Sequence, residues 1–165
     1  YDKVDEFKID GEHISSTVIR NLLSENGDVK KVRRILGRNY SMEGKVVEGK
    51  KLGKELGYPT ANIEVSNEYK LIPKTGVYAV EVMIDEKKYF GMMSIGKNPT
   101  VTDDQSIKLE VNIFDFDEDI YGKKICVNFI DYIRDEEKFN SLDELVKQLD
   151  KDKESTIKII NETEI

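Results

Sequence analysis

Little in this chain is suited to metal or thiol chemistry: there is one cysteine, Cys126, and one histidine, His13. A single cysteine excludes an intrachain disulfide, and its place in an apolar, strand-like run fits a structural thiol in a reducing compartment. A single histidine excludes a multi-histidine zinc site and argues against a histidine-based nucleophilic triad. No run approaches the roughly 20 apolar residues of a membrane-spanning helix, and no signal peptide is visible, so the sequence reads as cytoplasmic, with no membrane partner. Two standard nucleotide signatures are also missing. The glycine-rich stretch lacks the Gly-Lys-Ser/Thr ending of a Walker A loop, and no Gly-x-Gly-x-x-Gly follows a strand.

The 165 residues are 38% apolar and 36% charged, with a net charge of −7. That composition fits a globular protein of one domain with an appendage, and the acidic balance argues against bulk binding of nucleic acid. Yet Lys45, Lys50, Lys51 and Lys54 cluster within ten residues, the last three inside the run Gly49-Lys50-Lys51-Leu52-Gly53-Lys54-Glu55-Leu56-Gly57. Glycine at every fourth position lets a polyanion approach the backbone amides, although charge alone fits a solvated lysine-rich loop equally well.

Directly after this run stands Tyr58-Pro59-Thr60-Ala61-Asn62. In an extended segment Thr60 and Asn62 point the same way, and a hydroxyl with an amide carbonyl suits Mg²⁺, which keeps waters and takes substrate phosphates as further ligands. A plain Pro-Thr turn remains open. Glu110 alternates with Leu109, Val111 and Ile113, so it sits either on a wet strand face or at a site where it can act as a general base. Gly96-Lys97-Asn98-Pro99-Thr100 is a second glycine-proline turn. Arg134 and Phe139 bracket a charged stretch and can either flank a planar ligand or form a surface cluster around one buried ring.

The periodicity predicts a helical hairpin over about 14–37, with Ile19, Leu22 and Leu23 as the stripe of its first helix, ended by Asn26-Gly27. Asp28 caps its second helix, which buries Val29, Val32, Ile35 and Leu36 and stops at Gly37. Runs at 40–47, 77–84, 89–95, 109–114 and 125–133 read as strands, and Asp85 to Lys88 and Tyr121 to Lys123 as turns. Five or six strands without intervening helices predict an antiparallel barrel or sandwich. A last helix starts at Ser141 and places Leu142, Leu145, Val146 and Leu149 on one face, and the pattern fades after about Lys153.

In order along the chain, Gly37 to Gly49, Leu52 to Asn62, Pro73 to Tyr78, Gly96 to Thr100, Leu109 to Val111, Asp115-Phe116, Tyr121 to Lys123 and Arg134 to Phe139 together resemble the riboflavin kinase family. The likeness is to the kinase module of bacterial bifunctional riboflavin kinase/FMN adenylyltransferases. Ile14 to Arg20 is similar to the closing Ser-Ser-Thr-x-Ile-Arg element of nucleotidylyltransferases. The resemblance therefore implies two parts: residues 1–37 as the tail of an adenylyltransferase module, the rest of which would be a covalent neighbour, and 38–165 as the kinase.

The fold it implies is a six-stranded antiparallel Greek-key barrel with a C-terminal helix, preceded by the helical hairpin. The activity it implies is transfer of the ATP γ-phosphoryl group to riboflavin, giving FMN, with no FAD synthesis from these residues. It also implies roles for single residues: Gly49, Gly53, Lys54, Gly57 and Pro59 around the ATP phosphates, and Thr60 and Asn62 on Mg²⁺. Glu110 would be the base, Phe116 and Tyr121 would lie near the nucleotide, and Asn98, Arg134 and Phe139 near the flavin. The family pattern often carries arginine at the position of Lys54 and histidine at that of Asn112. The competing expectations are a flavin-binding barrel without catalysis and a scaffolding domain.

Overall fold

A computed structural model describes residues 7–9, 12–14, 16–47, 57–66, 71–97, 107–116 and 118–163. It begins with a short hairpin, β1 (Phe7–Ile9) and β2 (Glu12–Ile14), followed by α1 (Ser16–Asn21), a π-helical stretch (Leu22–Asn26) and α2 (Val29–Leu36). The strands β3 (Ser41–Val47), β4 (Ala61–Val65), β5 (Gly76–Ile84), β6 (Lys87–Lys97), β7 (Ile107–Ile113) and β8 (Lys124–Arg134) precede α3 (Leu142–Thr163). The six strands close into an antiparallel barrel in the order β3-β4-β7-β6-β5-β8. Of the barrel and sandwich left open by the strand pattern this is the barrel, the mainly β Greek-key form that the family resemblance implies, and closure leaves none of the six with a free edge.

The helical hairpin forms for the reasons its sequence suggests. The Asp28 side chain accepts the Lys31 amide at 3.0 Å, and Gly37, in the left-handed region, ends α2 by donating to the Arg33 carbonyl. Val29 and Val32 are fully buried, and Leu22, Leu23 and Ile35 belong to the same apolar cluster as the barrel's Tyr78, Val80, Val127 and Phe129. The hairpin and barrel therefore share one core. Gly27 sits where the two meet, at φ 63°, and a Cβ there would come within 2.7 Å of the Tyr78 hydroxyl, so the tight turn requires glycine.

Inside the barrel, Tyr78 packs edge-on against Phe129 and against Tyr132, both at 5.1 Å between ring centroids. The Tyr78 hydroxyl is not left unpaired by its burial, since it donates to the Lys74 carbonyl at 2.5 Å. The β5–β6 connection is a two-residue turn with Asp85 at φ 49° and Glu86 at φ 68°, both left-handed, as a tight hairpin of native twist demands. Lys123 pairs with Asp85 at this turn.

Three features differ from the sequence expectation. β1 and β2 were not foreseen, and β4 is too short to stand out beside the five longer runs. The third concerns α3: Ser141 caps it as expected, accepting the Glu144 amide at 3.2 Å, but the helix continues to Thr163 and Leu142 is 53% exposed. Its most buried positions are polar, Asp152 and Thr156, so apolar periodicity underestimates its length.

Candidate active site

β4 and β7 meet in a short seam. Their registered pairs are Ala61↔Val111 and Asn62↔Glu110, and Glu110 also faces Ser94 of β6. Ala61, Ile63, Leu109, Val111 and Ile113 pack toward the core, so the alternation of a strand turns Asn62 and Glu110 outward, side by side. The Thr60 hydroxyl stands 3.3 Å from Glu110 Oε2, and Lys108 Nζ lies 3.6 Å from Glu110 Oε1. Glu110 is one-quarter exposed. Thr60 and Asn62 thus share one outward patch with Glu110, which is 50 positions from Thr60 in sequence. Ser94 completes the row, and nothing in its local sequence marks it; only the β6–β7 register places it there.

Beside the patch opens a cleft of about 410 Å³ lined by Gly57, Tyr58, Pro59, Asn112, Ile113, Phe114, Asp115, Phe116 and Lys153. Its lining mixes polar groups with the aromatic rings of Phe114 and Phe116, the latter held edge-on by Tyr89 at 4.9 Å. Lys153 of α3 lies over the Phe114 ring at 5.5 Å, bringing a cation to the rim. The Tyr58 hydroxyl donates to Asp150 of the same helix; burial first, then this bond and the negative charge of Asp150, push its pKa up to about 12. The C-terminal helix is therefore tied to the segment that carries Thr60. Asn112 is 7% exposed and donates from Nδ2 to the Pro59 carbonyl at 2.6 Å.

Arg134 and Phe139 are brought together, the guanidinium 5.7 Å from the ring centre. That guanidinium is already engaged: Nε donates to Asp152 Oδ1 at 2.9 Å and Nη2 to Oδ2 at 2.8 Å, and Gln148 adds a bond to the same carboxylate at 2.9 Å. Asp152 is 1% exposed, so this is a buried, bidentate pair joining β8 to α3. Tyr121 stands apart from the cleft, 62% exposed, in the turn where the Lys123 amide reaches the Ile120 carbonyl at 2.9 Å. Gly49, Gly53, Lys54 and Asn98 lie outside the described residues.

Among the described residues no group of three or more His, Cys, Asp and Glu side chains gathers to hold a metal. The donors at the seam are instead one hydroxyl, one amide and one carboxylate. That sparse oxygen set fits Mg²⁺ completed by waters and substrate phosphates, and not a closed protein cage. Among the described residues, no helix is long and apolar enough to cross a membrane.

Comparison with known proteins identifies the family. A family model described as riboflavin kinase, or flavokinase, matches residues 36–160. The chain is 42% identical over 153 residues to the bifunctional riboflavin kinase/FMN adenylyltransferase of Listeria monocytogenes, covering 93% of this chain and 48% of that protein. It superimposes with a TM-score of 0.82 and 43% identity on a Streptococcus pneumoniae chain described as a macrolide-efflux protein, over 90% of this chain and 48% of that one. A riboflavin kinase from Trypanosoma brucei shares the fold, with a TM-score of 0.55 and 22% identity, over 76% of this chain and 82% of that one. The chain spans about half the length of the curated relatives it matches. With the family model running from the end of α2 through nearly all of α3, the chain belongs to the riboflavin kinase family.

Proposed function

We propose that this chain transfers the γ-phosphoryl group of ATP to the ribityl 5′-hydroxyl of riboflavin, giving FMN and ADP. The observation that carries the reading is the seam itself: a carboxylate, Glu110, with a threonine hydroxyl at 3.3 Å and Asn62 registered directly opposite. In this reading Glu110 accepts the proton of the 5′-hydroxyl as its oxygen bonds to the γ-phosphorus, and the bond from phosphorus to the bridging oxygen breaks to release ADP. Most of the catalytic effect comes from position and charge, since phosphoryl transfer asks little covalent chemistry of the protein.

Thr60 and Asn62 would hold Mg²⁺, which when bound neutralises phosphate charge. Lys153 and the Phe114 and Phe116 rings beside them suit a planar group carrying negative charge. The segment 49–57 would wrap the phosphates. Residues 1–37 would be the tail of a preceding adenylyltransferase module, with 38–165 forming the kinase; FMN adenylylation is not assigned to these residues. The reading also places the chain in the cytoplasm, where both small-molecule substrates are present.

The test is direct. The chain incubated with ATP, Mg²⁺ and riboflavin should yield FMN and ADP in equal amounts, separated by chromatography. Flavin that binds without being phosphorylated would overturn the proposal in favour of a non-catalytic flavin-binding barrel.

A further inference from the structure

We infer that Asn112 is a positioning residue, whose side-chain amide holds the Pro59 carbonyl and thereby sets the Thr60 hydroxyl against Glu110. The inference deepens the kinase reading and rests on it for its kinetic arm. β7 runs to Ile113, but β4 begins at Ala61, and the registered pairing stops at Ala61↔Val111. Continued by one step, the same register sets Thr60 opposite Asn112. Pro59, the next residue outward, has no N–H to offer, so a backbone ladder cannot continue normally past this point.

A side chain takes over. Asn112 Nδ2 reaches the Pro59 carbonyl at 2.6 Å, a short and direct bond from a residue that is 7% exposed. The platform under Asn112 is fixed from the opposite side. Gly91 of β6 passes so close that a Cβ there would run into the Asn112 carbonyl oxygen, and Met92, registered with Asn112, is 5% exposed. By contrast, the contact being positioned is weak: 3.3 Å is at the long limit for an O–H···O bond, so Thr60 and Glu110 do not hold each other. A single peptide separates the anchored Pro59 carbonyl from the Thr60 side chain. Release of that carbonyl frees the hydroxyl to swing away from the carboxylate.

The chemistry required of Asn112 is a donor, not bulk. Asn112→Leu keeps a comparable volume and removes the donor; Asn112→His restores an N–H at similar reach. Steady-state kinetics with varied Mg-ATP should show Asn112→Leu lowering kcat/KM about 10- to 100-fold, the range expected when a buried bond is lost and its partner left unpaired. Asn112→His should recover most of that loss. Thr60→Ala should cost little further in the Asn112→Leu background, because Asn112 acts through Thr60. Equal impairment by leucine and histidine, or penalties that multiply in the double variant, would overturn the inference and leave Asn112 as packing only.

A second measurement requires neither a variant nor activity. In the ¹⁵N spectrum of the unaltered chain, one Asn112 side-chain amide proton should exchange slowly with solvent. Exchange of both protons at the rate of exposed asparagines would contradict the clamp. Absence of FMN formation by the unaltered chain would instead defeat the kinase reading, with the exchange result still deciding whether the clamp exists.

Discussion

Two parts of the barrel are held together in opposite ways. On one side β5 pairs with β6 over nine registered positions from Gly76↔Ile95 to Ile84↔Lys87, and with β8 from Val77↔Arg134 to Met83↔Cys126. Fully buried Tyr78, Val80, Val82 and Phe129 lie beneath. On the other side β4 meets β7 through two registered pairs, and beyond them contact passes to side chains: Asn112 to Pro59, and Thr60 to Glu110. Regular backbone pairing builds a wall but leaves its amides and carbonyls spent. Where the ladder runs out, polar side chains are free to be arranged for a ligand. The long-laddered half stores stability, and in the proposed mechanism the seam carries the chemistry.

That contrast can be broken at several points. The largest effect is expected at the seam: Glu110→Gln should lower turnover by about 10²- to 10⁴-fold, the usual worth of a positioned base, with Mg-ATP binding retained and the melting temperature little changed. Near-normal turnover would remove Glu110 from the mechanism.

The next concerns the wall. Asp152→Ala removes the bidentate partner of the Arg134 guanidinium, which is 17% exposed and keeps the Asp135 carbonyl at 3.0 Å and Glu137 at 3.9 Å, and should cost about 3 kcal/mol of folding stability in denaturant titration, the low end for a broken buried ion pair. Unchanged stability with a raised KM for riboflavin would move Arg134 into the flavin site, as the family pattern implies, and blur the division between halves.

Thr60→Ala should weaken Mg-ATP binding about tenfold, an amount typical of one lost bond to a charged group, measured by calorimetry. Unchanged affinity would place the ion elsewhere.

The smallest effect is at the tether between seam and helix. Because the folded Tyr58 pKa is raised to about 12, its contribution to stability is complete below the ordinary tyrosine value near 10 and is lost as pH rises toward 12. The melting temperatures of the unaltered chain and Tyr58→Phe should therefore differ at pH 8 and converge at high pH. A gap that persists there would mean that the Asp150 contact contributes nothing.

Much of the wall was legible in the sequence, because runs such as Val77 to Ile84 and Ile125 to Ile133 advertise strands through their β-branched and aromatic residues. Asp28, Gly37 and Ser141 marked helix ends by local hydrogen-bonding chemistry that needs no tertiary context. The later half of α3 was harder to read because the face it buries carries Asp152 and Thr156, whose partners are Arg134 and the helix's own backbone. At the seam, the shared direction of Thr60 and Asn62 followed from strand alternation, and their link to Glu110 from the family resemblance. The bond from Asn112 to Pro59 and the place of Ser94 beside Glu110 did not, since both depend on registers between strands far apart in the chain. Arg134 showed the converse problem: the family resemblance implies a ligand there, and a buried carboxylate from a distant helix already occupies it.

In the proposed mechanism the seam, and not the long-laddered wall, receives the metal-nucleotide. Titration of the ¹⁵N-labelled chain with Mn²⁺-ATP tests it most directly, since the paramagnetic ion broadens nearby amides first. The Thr60, Ala61, Asn62 and Glu110 signals should be lost early while those of Val80, Val82 and Val127 persist. Broadening centred on β5 and β8, with the seam signals intact, would contradict it.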